Sequence, residues 1–468
     1  MSDDVVADGG HPGLVRNRSF MWLWASQFVS SLGDWIGLFA ILAIAGQLQP
    51  GNAAFAISLV TLARVVPGLV LAPIAGVLVD RWDRRRTMIV TDVGRGCVLA
   101  LVPFVSNIWQ LILASLVLEV LTLLFQPAKE ALVPNIVPAD QLVSANSLGL
   151  LAAYGTFPVG ALVFAALASF APDLGSQQAS LALWVDTGTF LVSALLVFFV
   201  RVPATADDGA GAVAVEDEGT GELAKRRLRG AWDEVREGWQ FIFTEPVVRM
   251  VMIGFSVAML GGAAVIPLGP LYAEQVLGGS ASTYGLVQFA MGFGAAVGVG
   301  GVMMWTRRGT HSSAHLFTMG LLVCGVGLLA AASVHTPALG YPLIALFGMG
   351  AGATYVTGFA TLQENADDEV RGRVFASLLL VIRLCMLLAL VIAPALAGIA
   401  DGVLHWLLPD GEVGLSGFSY GVSGTEIVLW IGGATILLTG LWARRQYHDV
   451  QHLVERPRSG GDEEEEQR

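Results

Sequence analysis

The feature that most constrains this chain is a succession of apolar runs. Each is about 20 residues long, the length at which a helix crosses the hydrocarbon core of a bilayer. Twelve are readable, at approximately 20–46, 54–79, 87–105, 108–130, 143–168, 180–200, 247–272, 283–305, 313–333, 339–361, 373–400 and 425–445. They are too long for the short alternating strands of a membrane barrel, so they predict helices. Only 14% of the 468 residues are charged, against about a quarter in soluble proteins. The mean hydropathy is +0.66. The first run follows Arg16 and Arg18, is longer than a signal-peptide core and has no small-residue cleavage site, so it reads as a membrane span.

Charge fixes the topology. With the N-terminus in the cytoplasm and alternating spans, the basic residues of every loop and tail fall on the inner side. The six outer loops hold none, and Arg64, Arg95 and Arg383 lie inside spans. This is the positive-inside pattern, and one span more or fewer would scramble it. It predicts a multi-pass protein of the cytoplasmic (inner) membrane with both termini cytoplasmic. Trp22, Trp24, Trp109, Trp305 and Trp442 fall near span ends, where an amphipathic ring anchors at the interface. The net charge of −12 comes from soluble stretches such as Glu216 to Glu218 and Asp462 to Glu466. Lysine is almost absent, at Lys129 and Lys225; a salt-rich cytoplasm and a GC-rich genome account for this equally well.

The spans divide six and six. The expected organisation is a tail at 1–19, a bundle at 20–200, a polar linker at 201–246, a second bundle at 247–446 and an acidic tail at 447–468. Within the linker, Leu228, Trp232, Val235, Trp239 and Ile242 recur at helical spacing and predict an amphipathic surface helix at about 225–243. An offset of 230 residues superimposes Leu132 on Leu362, Asn135 on Asn365 and Ser147-Leu148 on Ser377-Leu378, as duplicated halves would.

The strongest local motif follows the second span: Gly76-Val77-Leu78-Val79-Asp80-Arg81-Trp82-Asp83-Arg84-Arg85-Arg86. Gly76 permits close helix approach. Asp80 sits at a helix end, where a carboxylate suits the positive N-terminus of another helix. Arg84 and Arg85 are available to acidic groups on the facing half, and Arg86 fits a plain topology signal. The stretch resembles the signature between helices two and three of the major facilitator superfamily, with Asp83 where that family usually has glycine. Its Asp-Arg-aromatic-Asp-Arg-Arg-Arg form is similar to the branch that includes enterobactin and macrolide exporters. Arg16-Asn17-Arg18-Ser19-Phe20, Ser30 to Trp35, Leu132 to Asn135, Ala145 to Leu148 and Arg371 to Phe375 extend the resemblance over nearly all of the membrane region. It implies two six-helix bundles working by alternating access, with Gly76, Asp80, Arg81, Arg84 and Arg85 as a gating loop. The matching loop of the second half, Trp305 to Gly309, keeps an arginine pair and lacks the aspartate.

Charges inside spans cost roughly 2.5–3.5 kcal/mol on insertion scales and need partners. Asp34, Arg64 and Glu119 lie at compatible depths in spans one, two and four, and Arg383 is the mid-membrane charge of the second half. They are candidates to line a substrate and proton pathway, with Asp34 or Glu119 exchanging the proton; a structural ion pair is the competing reading. Asp92 and Arg95, spaced i, i+3, are expected to pair with each other. Gly155-Thr156-Phe157-Pro158-Val159-Gly160 is similar to the glycine–proline kink of the family's antiporters, and Gly294 and Gly298 read as helix packing.

Soluble chemistry is missing. There is no phosphate-binding loop, no nucleophile elbow and no zinc-spaced histidine or cysteine set. Cys97, Cys324 and Cys385 sit in apolar runs and predict neither disulfide nor metal site. No enzyme activity, cofactor or nucleic-acid partner is expected. The partners expected are lipid, a small-molecule substrate and protons, with the chain acting as a monomer. Proton-driven export of a hydrophobic or amphipathic molecule is the leading reading; an importer, an uncoupled facilitator or a non-transporting membrane sensor or assembly protein are the rivals.

Overall fold

The computed structural model of the chain describes residues 13–79, 82–170, 178–201, 244–307, 312–366, 368–407, 413–415, 418–420 and 422–454. The chain divides into two compact units, Met1–Glu216 and Asp217–Arg468. The expected linker helix at 225–243 and the end of the tail lie outside the described residues.

The first unit holds α1 (Arg18–Leu48), α2 (Ala53–Val79), α3 (Arg84–Leu101), α4 (Ile108–Ile136), α5 (Leu142–Tyr154), α6 (Thr156–Ser169) and α7 (Gln178–Phe198). The second holds α8 (Pro246–Gly262), α9 (Val265–Leu271), α10 (Ala281–Thr306), α11 (Ser313–Ala332), α12 (Pro337–Asn365), α13 (Asp368–Leu407) and α14 (Gly424–Val454). Among the described residues eleven stretches are long and apolar enough to cross a membrane, and the 27-residue α2 covers the remaining predicted span. A small hairpin, β1 (Val413–Leu415) with β2 (Phe418–Tyr420), lies between α13 and α14.

Two predicted spans are each built from two helices. The fifth breaks at Gly155, between α5 and α6. Pro158 has no N–H to offer the carbonyl of Tyr154. Beside the break the Thr156 hydroxyl is shared between the carbonyls of Ala152 (2.9 Å) and Ala153 (3.3 Å). The seventh runs through α8 and α9 into a π-helical turn at Tyr272–Val276. Helices also outlast their apolar runs: α4 reaches Ile136, α13 spans 40 residues, and α14 continues to Val454, beyond the boundary expected at 446. A helix satisfies its own backbone, so it need not stop where hydropathy falls.

Capping explains several starts. Asn17 accepts from Phe20 N at 3.1 Å and donates to the Ile136 carbonyl at 2.6 Å, which ties the start of α1 to the end of α4. Asp83, in the place of the family's usual glycine, caps α3 by accepting from Arg86 N at 2.7 Å. Helix α1 is fastened to α5 between Trp24 and Trp35. Trp24 Nε1, Gln27 Nε2 and Trp35 Nε1 donate to the carbonyls of Leu148 (2.9 Å), Gly149 (3.0 Å) and Ala153 (3.0 Å). Trp24, expected as an interfacial anchor, is therefore a helix fastener; Trp109 is 70% exposed, as an anchor should be.

In the second unit, α10 and α12 meet backbone to backbone. A Cβ on Gly294 or Gly298 would overlap the carbonyls of Ala345 or Met349. Reciprocally, one on Gly348 or Gly352 would overlap those of Met291 or Ala295. The packing role expected for Gly294 and Gly298 follows from this contact. Gly298→Leu is expected to destabilise the protein by about 1–3 kcal/mol, the usual cost of overpacking. Gly300→Leu, whose side chain would meet open space, is expected to melt close to wild type. Thermal unfolding in detergent measures both, and equal losses would contradict the contact.

Candidate functional site

The first unit gathers its charges around one cavity. Arg95, on α3, is 2% exposed. It pairs with Asp92 one turn earlier, as the spacing predicted. Asp92 is fully buried and also accepts from Ser193 Oγ of α7 at 2.6 Å, while Ser193 Oγ lies 2.8 Å from Ser26 Oγ of α1. The Arg95 guanidinium is stacked between the rings of Phe125 and Phe190, 4.5 and 4.3 Å from their centroids. One guanidinium therefore binds α3 to α4 and α7. The pairing with Asp92 is not its whole role, because Asp34 Oδ2 on α1 stands 3.8 Å from Arg95 Nη1.

Asp34, Arg64, Arg95 and Asp186 all face this cavity, whose remaining wall is mostly apolar and includes Ile41, Leu99, Leu118 and Phe190. Arg64, on α2, is half-buried and acts electrostatically on Asp34, Glu119 and Asp186. Glu119 neighbours the cavity residue Leu118 on α4, and its Oε1 stands 3.7 Å from where a Cβ on Gly68 of α2 would be. Three of the four predicted pathway residues are thus in one unit and within electrostatic reach of each other. The fourth, Arg383, is in the second unit, exposed on α13.

Asp186 is the residue that sequence reasoning missed. It is 1% exposed on α7. The signal was present: it is a carboxylate well inside the apolar run at 180–200, subject to the same rule that singled out Asp34. Its carboxyl lies in a notch on α1 formed by Gly33 and Gly37, where a Cβ at either position would overlap its oxygens.

The predicted gating loop is partly described. Gly76 lies within α2, while Asp80 and Arg81 fall outside the described residues. Arg84 Nη1 donates to the Ala131 carbonyl at 2.9 Å. Arg85 donates to the carbonyls of Val197 (3.3 Å) and Phe198, and its guanidinium sits 5.1 Å over the Phe198 ring. The two arginines therefore cover carbonyls near the C-terminal ends of α4 and α7, where helix dipoles favour cations. These partners are backbone groups of their own unit, where the sequence had suggested acids on the facing half. Arg86 is 86% exposed and lies 3.9 Å from Asp83, a surface pair of little energetic weight. Among the described residues no group of three or more histidine, cysteine or acidic side chains is placed to hold a metal ion. The three cysteines are free.

A family model described as Major Facilitator Superfamily matches residues 23–390. Macrolide efflux protein A of Streptococcus pyogenes is 23% identical over 401 residues, which cover 84% of this chain and 93% of that protein. The putative bacilysin exporter BacE of Bacillus subtilis is 25% identical over 389 residues, covering 81% and 90%. Among solved structures, a bacterial homologue of the iron transporter ferroportin superposes with a TM-score of 0.64 at 14% identity, covering 93% of this chain and 99% of that one. Twelve predicted spans, the six-plus-six division and the match over residues 23–390 lead to one assignment: the chain belongs to the major facilitator superfamily of membrane transporters.

Proposed function

We propose that the chain is a proton-coupled exporter of a small hydrophobic or amphipathic molecule. It acts as a monomer in the cytoplasmic membrane, with both termini inside, and works by alternating access. The export direction is supported by two relatives named for efflux or export, each aligned over four-fifths or more of this chain. The observation that carries the coupling is the charge balance of the first unit. Asp34, Asp92, Glu119 and Asp186 stand around two cations, Arg64 and Arg95. In a low-dielectric cavity such an excess of carboxylates is relieved by bound protons. A carboxylate that gains and loses a proton there changes its grip on a neighbouring guanidinium, which is the link a coupled transporter needs.

Asp34, Arg64 and Glu119 line the pathway in this reading. Arg383 contributes in the second unit, where an exposed charge within the apolar stretch Arg371–Leu407 needs a polar path or partner. The loop of Gly76, Asp80, Arg81, Arg84 and Arg85 acts as the gate. Its support is the grip of Arg84 and Arg85 on the ends of α4 and α7, which lets helix movement reach the loop.

A compound panel in inverted vesicles, with and without a pH gradient, tests this function. The expected result is gradient-dependent uptake of at least one hydrophobic or amphipathic compound. Asp34→Asn and Glu119→Gln, made singly, should each slow gradient-driven uptake by roughly tenfold, or about 1.4 kcal/mol in the barrier. Uptake that ignores the gradient would identify a facilitator and defeat the antiport reading. Gradient-driven uptake that persists in both variants would remove these two carboxylates from the coupling.

Topology is checked separately. On a cysteine-free background, Gln49→Cys should react with a membrane-impermeant maleimide applied to intact cells, and Asp140→Cys should react only after the membrane is opened. The opposite pattern would invert the orientation.

A further inference from the structure

We infer that Asp186 is the proton-bearing carboxyl of the first unit, and that Asp34 is its ionised counterpart, held by Arg95. This assignment rests on the proton-coupled reading above and gives it a residue which that reading did not name.

Hydrogen accounting carries the argument. Thr189 Oγ1 lies 2.7 Å from the Asp186 carbonyl oxygen and 3.1 Å from Asp186 Oδ1. A hydroxyl has one proton to give and lone pairs with which to accept. The shorter contact is the back-bond a threonine makes to the preceding turn of its own helix, and it uses that proton. With an ionised carboxyl the contact to Oδ1 is only the weaker arm of a shared Thr189 bond, whereas Asp186 O–H donating to Thr189 Oγ1 makes it a full hydrogen bond.

The surroundings agree. Both carboxyl oxygens face the Gly33–Gly37 notch of α1, a stretch of helix whose interior N–H groups are already used. Every charged neighbour has a position in the account. From α1 comes Asp34, itself an acid. Helix α3 brings Arg95, committed to Asp92 and Asp34, together with Asp92, which is held by Arg95 and Ser193. Arg64 on α2 is shared between Glu119 of α4, Asp34 and Asp186. Helix α6, which also packs on α7, carries no titratable side chain. Among the described residues Asp186 has no ion pair. Ionised, it would confront Asp34 across the cavity that both line; protonated, it is satisfied by Thr189. Release of that proton is balanced by movement of Arg64 or Arg95 toward the new carboxylate, which shifts α2 or α3 against α7.

Infrared difference spectroscopy on the purified full-length protein reads the proton without a substrate. A carbonyl-stretch band of a neutral carboxylic acid should be present at neutral pH in wild type, lost in Asp186→Asn and retained in Asp34→Asn. Thr189→Val, which removes the acceptor, should shift the band and serves if Asp186→Asn does not fold. Loss of the band in Asp34→Asn with retention in Asp186→Asn would overturn the assignment, as would a band unmoved by Thr189→Val. The vesicle assay fails independently: a band assigned to Asp186 alongside gradient-independent uptake would keep the protonated residue and sink the antiport reading.

Discussion

Hydrocarbon offers no hydrogen bond, and each unusual contact in this protein answers that constraint. The spans are helical because a helix closes its own backbone bonds. Where Pro158 leaves a carbonyl without its donor, the fifth span breaks, and Thr156 turns back to the carbonyls beside the gap. The donors of Trp24, Gln27 and Trp35 find helix carbonyls on α5. The same shortage makes a buried guanidinium a knot. Arg95 gathers Asp92, Asp34, Phe125 and Phe190 in place of part of the hydration shell it lost, while its Nε is left without a hydrogen-bond partner.

That knot organises the site. It draws α1, α3, α4 and α7 around one cavity and leaves Asp186 against the Gly33–Gly37 stretch of α1, with Thr189 beside it. The arrangement separates two chemistries. Asp92 is deeply buried and fully partnered, which suits a permanent pair. Asp34 is 39% exposed and its contact with Arg95 is the longer one, which suits a pair that opens. In the proposed reading, the gradation from fixed to adjustable along a single arginine lets a structural pair and a working one share one small volume.

Much of the fold was legible because its signals are one-dimensional. Run length and the one-sided placement of arginine gave twelve spans. The i, i+3 spacing of Asp92 and Arg95 gave their pair, and the four-residue spacing of Gly294 and Gly298 gave a close helix crossing. The rest depends on helix rotation, which a single sequence leaves open. Nothing in the spacing of Arg95 says that its far side meets Asp34, or that Arg84 and Arg85 turn to carbonyls of α4 and α7. Asp186 is different: it obeyed the rule that selected Asp34 and was passed over. Trp24 looked like every interfacial tryptophan until its neighbour on α5 was known.

The glycine crossing of α10 and α12 has a mechanical consequence. Most helix contacts are cushioned by side chains that hop between rotamers and absorb a small displacement. Here carbonyl meets α-carbon on both helices, so no rotamer is available to yield. Such a joint is stiff in shear and acts like a single beam. A push delivered at one end of that beam arrives at the other nearly undiminished, so the softness that a moving transporter requires has to lie elsewhere in the chain.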